Sequence, residues 1–342
     1  MTQITMLGTS LLLRIDQKIS LKHVHRQLQV VAKLLIVTTF VEDAVRILTS
    51  FNVQQQSMQF AKWQSKSLHT ALPVLSVLIQ TTGAALILLS NQTSSLPKIG
   101  CNVLIAWCFW HPIMYNQVAF FQSDRHTNWE FVSETLTIVG GLLILLSHYL
   151  LSSPEAKLEL PAGASSPSGG KLTARAHRLQ ALGRTLIVSI FLYMAGQKMH
   201  IRMQKLDLGG HKEEGVFDWA SAGFEFVGAL VLLYICSLVI VGMKSRLCAL
   251  LLAAAMACGA VYMHPFWLFI FSSRRFQMWG VSGMDGYEVD AFTMADHQRY
   301  FFFQSMSTVG ALLLLVVYGP GAISIDEPDG MPTKILSAKG DA

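Results

Sequence analysis

Lys33-Leu-Leu-Ile-Val-Thr-Thr-Phe40 and Arg184-Thr-Leu-Ile-Val-Ser-Ile-Phe191 align without a gap, each a basic residue leading into an apolar run. The matches continue in the same order. Gln80-Thr-Thr-Gly83-Ala answers to Glu225-Phe-Val-Gly228-Ala, His111-Pro112 to His264-Pro265, and Val139-Gly140-Gly141-Leu-Leu to Val309-Gly310-Ala311-Leu-Leu. Apolar helices share a small alphabet, so one match carries little, but four in register point to a duplication. The segments holding them, near 28–48, 68–90, 98–122, 131–151, 179–198, 219–241, 247–271 and 300–318, approach or exceed the roughly 20 residues that carry a helix across a ~30 Å hydrocarbon core. The sequence therefore predicts an all-α polytopic membrane protein of about eight transmembrane helices, built as two tandem four-helix repeats. Each repeat has an even number of spans, so both halves enter from one side, related by an axis along the membrane normal.

Composition fits that reading: 52% of residues are hydrophobic and 14% charged, well below the roughly 25% charged of soluble domains. The net charge of +5 is scattered over loops and helix ends, with no basic face interleaved with aromatics, so nucleic acid is excluded as a partner and membrane lipids are expected. Cys101, Cys108, Cys236, Cys248 and Cys258 lie in or beside apolar segments without CxxC spacing and read as small buried residues. No nucleotide fingerprint, phosphate loop, HExxH or nucleophile elbow is present, and no cofactor or metal is expected.

The expected organisation is an N-terminal interfacial segment over 1–27, a first repeat over 28–151, a Ser/Pro/Gly/Ala-rich linker over 152–174, a second repeat over 175–318 and a polar tail over 319–342. Leu11 to Leu28 alternates charge with apolar residues as a helix lying on the membrane would. Eight spans put both termini on one face. That face collects Arg14, Lys18, Lys22, Arg26, Lys98, Lys157, Lys171, Arg175, Arg178, Lys244, Arg246, Lys334 and Lys339, so the positive-inside rule favours cytosolic termini. The sequon Asn91-Gln92-Thr93 then falls in a cytosolic loop and is expected to stay unmodified.

With this orientation the embedded carboxylates gather in the other, lumenal half. Glu42 and Asp43 lie late in the first segment, Glu130 and Glu134 at the start of the fourth, and Glu225 two turns into the sixth. A carboxylate in a bilayer faces a wet cavity or a partner. Glu42 precedes Arg46 by four residues, the favourable order for an internal pair. Glu130 and Glu134 share a helix face beside Trp129. Carboxylates set among aromatic, Met and Leu side chains suit a peptide with a charged terminal amine and apolar first side chains. His111 and His264, each before a proline, are expected to mark kinks with hydrogen-bonded imidazoles. A metal would need a further ligand at the same depth. Gly140-Gly141 and Gly310-Ala311 read as helix-packing contacts.

These residues also carry a family resemblance. Thr39-Phe-Val-Glu42-Asp43-Ala-Val-Arg46 resembles the FLEDGIR signature of the surfeit locus protein 4 family, the Erv29-like cargo receptors. Tyr300-Phe-Phe-Phe-Gln304-Ser-Met306 through Gly310, and Gly319-Pro320-Gly321-Ala-Ile-Ser324-Ile-Asp326-Glu327, are similar to its DFFQxMSxxGG and GPGGxSxDE stretches. Gly183-Arg184 resembles its LGGR helix and Gly242-Met-Lys244-Ser-Arg246-Leu its GFKTKL turn. The resemblance covers about residues 20–327.

It implies a receptor, not an enzyme, in the endoplasmic reticulum membrane. Such a receptor binds soluble secretory cargo proteins in the lumen, engages COPII coat components and cycles to the ER-Golgi intermediate and cis-Golgi. The cargo-binding candidates are Glu42, Asp43, Arg46, Glu130, Glu134 and Glu225. The sequence departs from the family where it ends Ala338-Lys339-Gly340-Asp341-Ala342, without the dilysine retrieval signal. Lumenal loops 199–218 and 273–298 are expected to be longer than in familiar members. Glu225-Phe-Val-Gly228-Ala, followed by Gly242 and Arg246, is also similar to DoxX-like membrane proteins. That likeness keeps a redox subunit open as an alternative, and the embedded carboxylates keep open a small-solute or lipid transporter.

Overall fold

All eight apolar stretches fold as helices, because a backbone surrounded by lipid must satisfy its own hydrogen bonds. The computed structural model describes residues 22–61, 63–90, 94–116, 127–158, 170–208, 219–278 and 287–325. Its elements are α1 (Lys22–Thr49), α2 (Phe51–Phe60), α3 (Lys66–Leu89), α4 (Leu96–Met114), α5 (Trp129–Leu151), α6 (Pro154–Leu158), α7 (Lys171–Ile187), α8 (Ser189–Leu208), α9 (Trp219–Val241), α10 (Ser245–Met263), α11 (Trp267–Ile270), β1 (Phe276–Met278), β2 (Tyr287–Val289) and α12 (Ala291–Tyr318). Among the described residues, six helical stretches are long and apolar enough to cross a membrane: α3, α5, Lys171–His200 through α7 and α8, Gly223–Val241 of α9, Ser245–Ile270 through α10 and α11, and α12. The chain is an all-α polytopic membrane protein.

The boundaries depart from expectation at several places. Helix α4 ends at Met114, where Asn116 turns into the left-handed region at φ +53 and its N–H bonds back to the Ile113 carbonyl, a common way for a helix to end; the rest of the third segment, 117–122, lies outside the described residues. His264-Pro265 does not kink a continuous helix; it separates α10 from the single turn of α11. Pro112, by contrast, stays inside α4. The region 273–298 is not one long loop. It holds the antiparallel pair β1 and β2, with Gln277 opposite Glu288, and the first two turns of α12. Helix α8 likewise extends to Leu208, into the stretch 199–218. Lys22 to Leu28 forms the start of α1; the remainder of the interfacial segment, the sequon, residues 159–169 of the linker and the tail beyond Ile325 lie outside the described residues.

Two helices form the centre. Every residue from Thr137 to Ser147 on α5 and from Ser307 to Val317 on α12 is buried. The most extensive seams are α12 against α1 and α5 against α7, with α5 and α12 meeting between them. Glycine permits both seams. A Cβ at Gly140 would stand 2.6 Å from the Gly183 carbonyl oxygen and 2.7 Å from the Ile187 nitrogen, and one at Gly310 would run into the Ile36 backbone. Small residues allow such close approach in lipid.

The polar contacts along the two seams also correspond. The Thr39 N–H donates to Ser307 Oγ at 3.2 Å, and the Ile190 N–H donates to Thr137 Oγ1 at 3.3 Å. On the outer side, α9 exposes Phe224, Phe226, Val227, Val231 and Tyr234, an apolar surface with the chemistry of acyl chains.

Candidate functional site

The charged end of α1 builds the site. Asp43 and Arg46 lie three residues apart, on one face of the helix, and their side chains form an ion pair. Asp43 is only 5% exposed, so its second oxygen needs a donor. Gln80 of α3 supplies it, with Nε2 at 2.7 Å from Oδ2. His111 of α4 places Nε2 at 3.9 Å from the same oxygen, and its ring stacks on Phe131 of α5 at 5.5 Å between centroids. From α12, the Tyr300 ring lies 4.8 Å from the Arg46 guanidinium carbon, a cation–π contact.

A second charge group caps the first. Arg299 Nε donates to Glu42 Oε1 at 2.5 Å and its Nη2 to Asp296 Oδ1 at 3.0 Å. Glu42 therefore pairs with a residue of α12 and not, as its spacing suggested, with Arg46, which is committed to Asp43. Just before α12 and outside the span, Asp290 accepts a hydrogen bond from the Thr293 hydroxyl, which holds its carboxyl below the usual carboxylate range.

Beneath these pairs is a cavity of ≈ 40 Å³ lined by Asp43, Gln80, His111, Phe131, Tyr300 and Gln304, among others. Gln304 Oε1 and His111 Nε2 are buried there without a hydrogen-bond partner among the described residues. A buried amide oxygen left bare costs about 1–3 kcal/mol, so the cavity is set up to accept a donor. A second void of ≈ 150 Å³ lies between α11 and α12, walled by Phe266, Ile270, Phe292 and Ala295 and bordered by Asp296 and Arg299.

Of the residues singled out by sequence, Glu42, Asp43 and Arg46 come together. Glu134 is half-buried on α5, within electrostatic reach of Tyr300, and Glu130 is exposed one turn earlier. Glu225 sits on the exposed face of α9 and lines neither cavity. His111 is not the hydrogen-bonded kink residue expected; its Nε2 has no hydrogen-bond partner among the described residues and it faces the Asp43 cavity. His264 does find one, its Nδ1 lying 2.9 Å from Gln298 Oε1. No group of three His, Cys, Asp or Glu suited to a metal occurs among the described residues. Cys101, Cys108, Cys236 and Cys248 are buried and Cys258 is exposed, and none of the five is in a disulfide.

Sequence reading missed Gln80, Tyr300, Gln304 and Arg299 as members of this site. The repeat offered a signal for two of them, since Gln80 aligns with Glu225 and Gln304 with Glu134.

Fold and site together define a polytopic helical membrane protein with a buried, acceptor-rich polar site near one pole of the bundle. The SURF4 family model matches residues 15–206 and 287–330. The chain belongs to the SURF4 family, and is thus a membrane protein of the Surf4/Erv29 group. It is 24% identical over 303 residues to a Surfeit locus protein 4 homolog of Drosophila melanogaster, covering 88% of this chain and 89% of the relative. A Schizosaccharomyces pombe protein of the same name is 22% identical over 295 residues, 86% of this chain and 79% of that one. The ER-derived vesicles protein ERV29 of Saccharomyces cerevisiae is 22% identical over 298 residues, 86% and 75%. No solved structure matches the chain.

Proposed function

We propose that this protein is a cargo receptor of the endoplasmic reticulum membrane that binds soluble lumenal secretory proteins and packages them into COPII vesicles. Family membership supports the reading, as does the name of the yeast relative, which assigns that protein to vesicles derived from the endoplasmic reticulum. The observation that carries the site is a buried acceptor, Gln304 Oε1, left bare among the described residues in a cavity that the Asp43 carboxylate and His111 also line. An ammonium group has three N–H donors. The terminal amine of a cargo polypeptide would engage these acceptors, with its first apolar side chains against the aromatic walls and the void beside Phe266 and Phe292. In this reading Glu42, Asp43, Glu130 and Glu134 set the negative field at the entrance, Arg46 holds Asp43 in place, and Glu225 adds to the field from the side.

The pole bearing Asp43 faces the lumen in this proposal, and both termini face the cytosol, where the coat binds. The protein cycles between the endoplasmic reticulum, the ER-Golgi intermediate and the cis-Golgi. The two halves, 28–151 and 175–318, are tandem repeats of four spans each, so that α1 and α4 cross with the six more apolar stretches. Equivalent contacts support this: Gly140 on Ile187 and Gly310 on Ile36, and the His111–Phe131 and His264–Phe301 stacks, both at 5.5 Å.

Depletion of the protein followed by comparison of secreted proteins tests the function. Retention of a defined set of soluble proteins, restored by the wild-type chain and not by Gln304→Leu at equal abundance, is the expected result. Unchanged secretion on depletion would overturn it.

A further inference from the structure

The opposite pole of the bundle holds a cation that the fold leaves without an acceptor among the described residues. Lys33 lies ten residues before Asp43 on α1, about 15 Å away along the helix at 1.5 Å per residue. It is level with the ends of α5 and α12. Its ammonium stands 5.0 Å from the centroid of the buried Tyr149 ring. Around it, Gln29 Nε2 donates to the Tyr318 hydroxyl at 2.8 Å, and His148 stacks on the Tyr318 ring at 3.9 Å. His25 and Lys33 are both within electrostatic reach of the His148 imidazole, and His25 and Arg26 are exposed beside it. Among the described residues Lys33 has no carboxylate or carbonyl partner, and His148 Nε2 is buried without a hydrogen-bond partner. Glu155, on the same pole, is paired with Lys98 at 3.7 Å.

The residue aligned with Lys33 in the second half shows what such a cation does when the chain supplies acceptors. Arg184 is 4% exposed and donates to three carbonyls, those of Ile240 at 3.1 Å, Pro320 at 2.7 Å and Ile323 at 2.7 Å. Gln180, aligned with Gln29, donates to the Gly319 carbonyl at 3.0 Å. The segment after α12 folds back over Arg184. After α5 the chain turns instead into α6, whose Glu155 goes to Lys98. One half closes its cation with its own backbone, and the other presents it half-buried at the bilayer face.

We propose that Lys33, His148 and Gln29, with His25 and Arg26 at the rim, form a binding site for a phosphate group, supplied by the headgroup of an anionic phospholipid lying along the exposed face of α1. The chemistry matches on three counts. An ammonium and an imidazole are phosphate donors, the site is at the end of membrane-spanning helices where headgroups lie, and basic groups there attract anionic lipid. The exposed apolar flank of α1, with Val30, Val31 and Leu34, accepts the acyl chains. The inference rests on Lys33 and its surroundings and is independent of the cargo site.

The test uses the full-length protein purified in neutral detergent and exposed to mixed micelles of phosphatidic acid or phosphatidylcholine with identical chains. Bound lipid is counted by native mass spectrometry. The wild-type protein is expected to retain phosphatidic acid over phosphatidylcholine, Lys33→Gln to lose roughly five-fold of that retention, as for one cation near a lipid surface, and Lys33→Arg to keep it. His148→Phe, which preserves the stack on Tyr318, gives a second reading should Lys33→Gln fail to fold. Competition with inorganic phosphate identifies the source. Retention that resists it supports a lipid headgroup, whereas full displacement contradicts the lipid and leaves a soluble phosphate as the ligand. Equal retention of both lipids by the wild type, or undiminished preference in a folded Lys33→Gln or His148→Phe protein, would overturn the proposal.

Discussion

Replacing Arg46 by Met should destabilise the protein more than any other single change at the charged pole. Asp43 is 5% exposed and keeps only Gln80 as a direct hydrogen-bond donor once Arg46 is gone. Its charge then stands in a site lined by Phe40, Trp107 and Phe131. Removing one member of a buried ion pair costs about 3–5 kcal/mol, chiefly because the other charge stays buried. At roughly 2 °C per kcal/mol for a chain at or above 250 residues, the apparent melting temperature in detergent should fall by about 6–10 °C. The double variant Asp43→Asn/Arg46→Met removes both charges, while the amide oxygen introduced in place of the carboxylate can still accept from Gln80, so at least half of that loss should be recovered. Tryptophan fluorescence during heating, with monodispersity checked by gel filtration, reads both. A melting temperature within about 1 °C of wild type for Arg46→Met, or a double variant no more stable than that single one, would refute the reasoning.

Other consequences follow from the same geometry. Gly140→Val and Gly310→Val force a side chain into the Gly183 and Ile36 backbones and should each cost at least 1–3 kcal/mol, roughly the range for overpacking. Gly228→Val, with nothing within 4 Å, should melt with the wild type, and a comparison of the three melting curves checks this. Arg184→Gln removes three carbonyl contacts, so maleimide labelling of a Ser324→Cys reporter should accelerate several-fold. An unchanged rate would show that Arg184 does not hold the segment. Asp290 has a folded pKa below its unfolded value, so its contribution is in place above the unfolded value and is lost as pH falls through the lowered one. Protection of the amides in the first turn of α12, taken relative to the intrinsic exchange rate at each pH, should therefore fall on acidification in the wild type and stay flat in Asp290→Ala.

Much of the fold was legible because lipid imposes one rule on the backbone: long apolar runs are helices. The matched glycines were legible too, and Gly140 and Gly310 do mark close helix approaches in the two main seams. The site was legible only on the stretch of sequence that carries its charges. Glu42, Asp43 and Arg46 are local to α1, but their partners are not. Arg299 is 257 positions from Glu42 and lies in a turn of α12 whose polar residues read as loop. Gln80 and Gln304 are uncharged, and only their burial distinguishes them from ordinary polar residues in helices. The β1 and β2 pairing went unread because each strand has three residues, too few for an alternating pattern. Glu225 illustrates the converse, since an acidic residue in a span drew notice while its exposed position on α9 separates it from the cavity.

Site-specific photocrosslinking in cells tests the receptor account most directly. A photoreactive residue at Phe292, beside the second void, is compared with one at Ile325 on the opposite pole. The account predicts that the first captures soluble secretory proteins, that Gln304→Leu abolishes the capture, and that the second captures none of them. Capture of secretory proteins at Ile325, or none at Phe292 in a correctly localised protein, would contradict it.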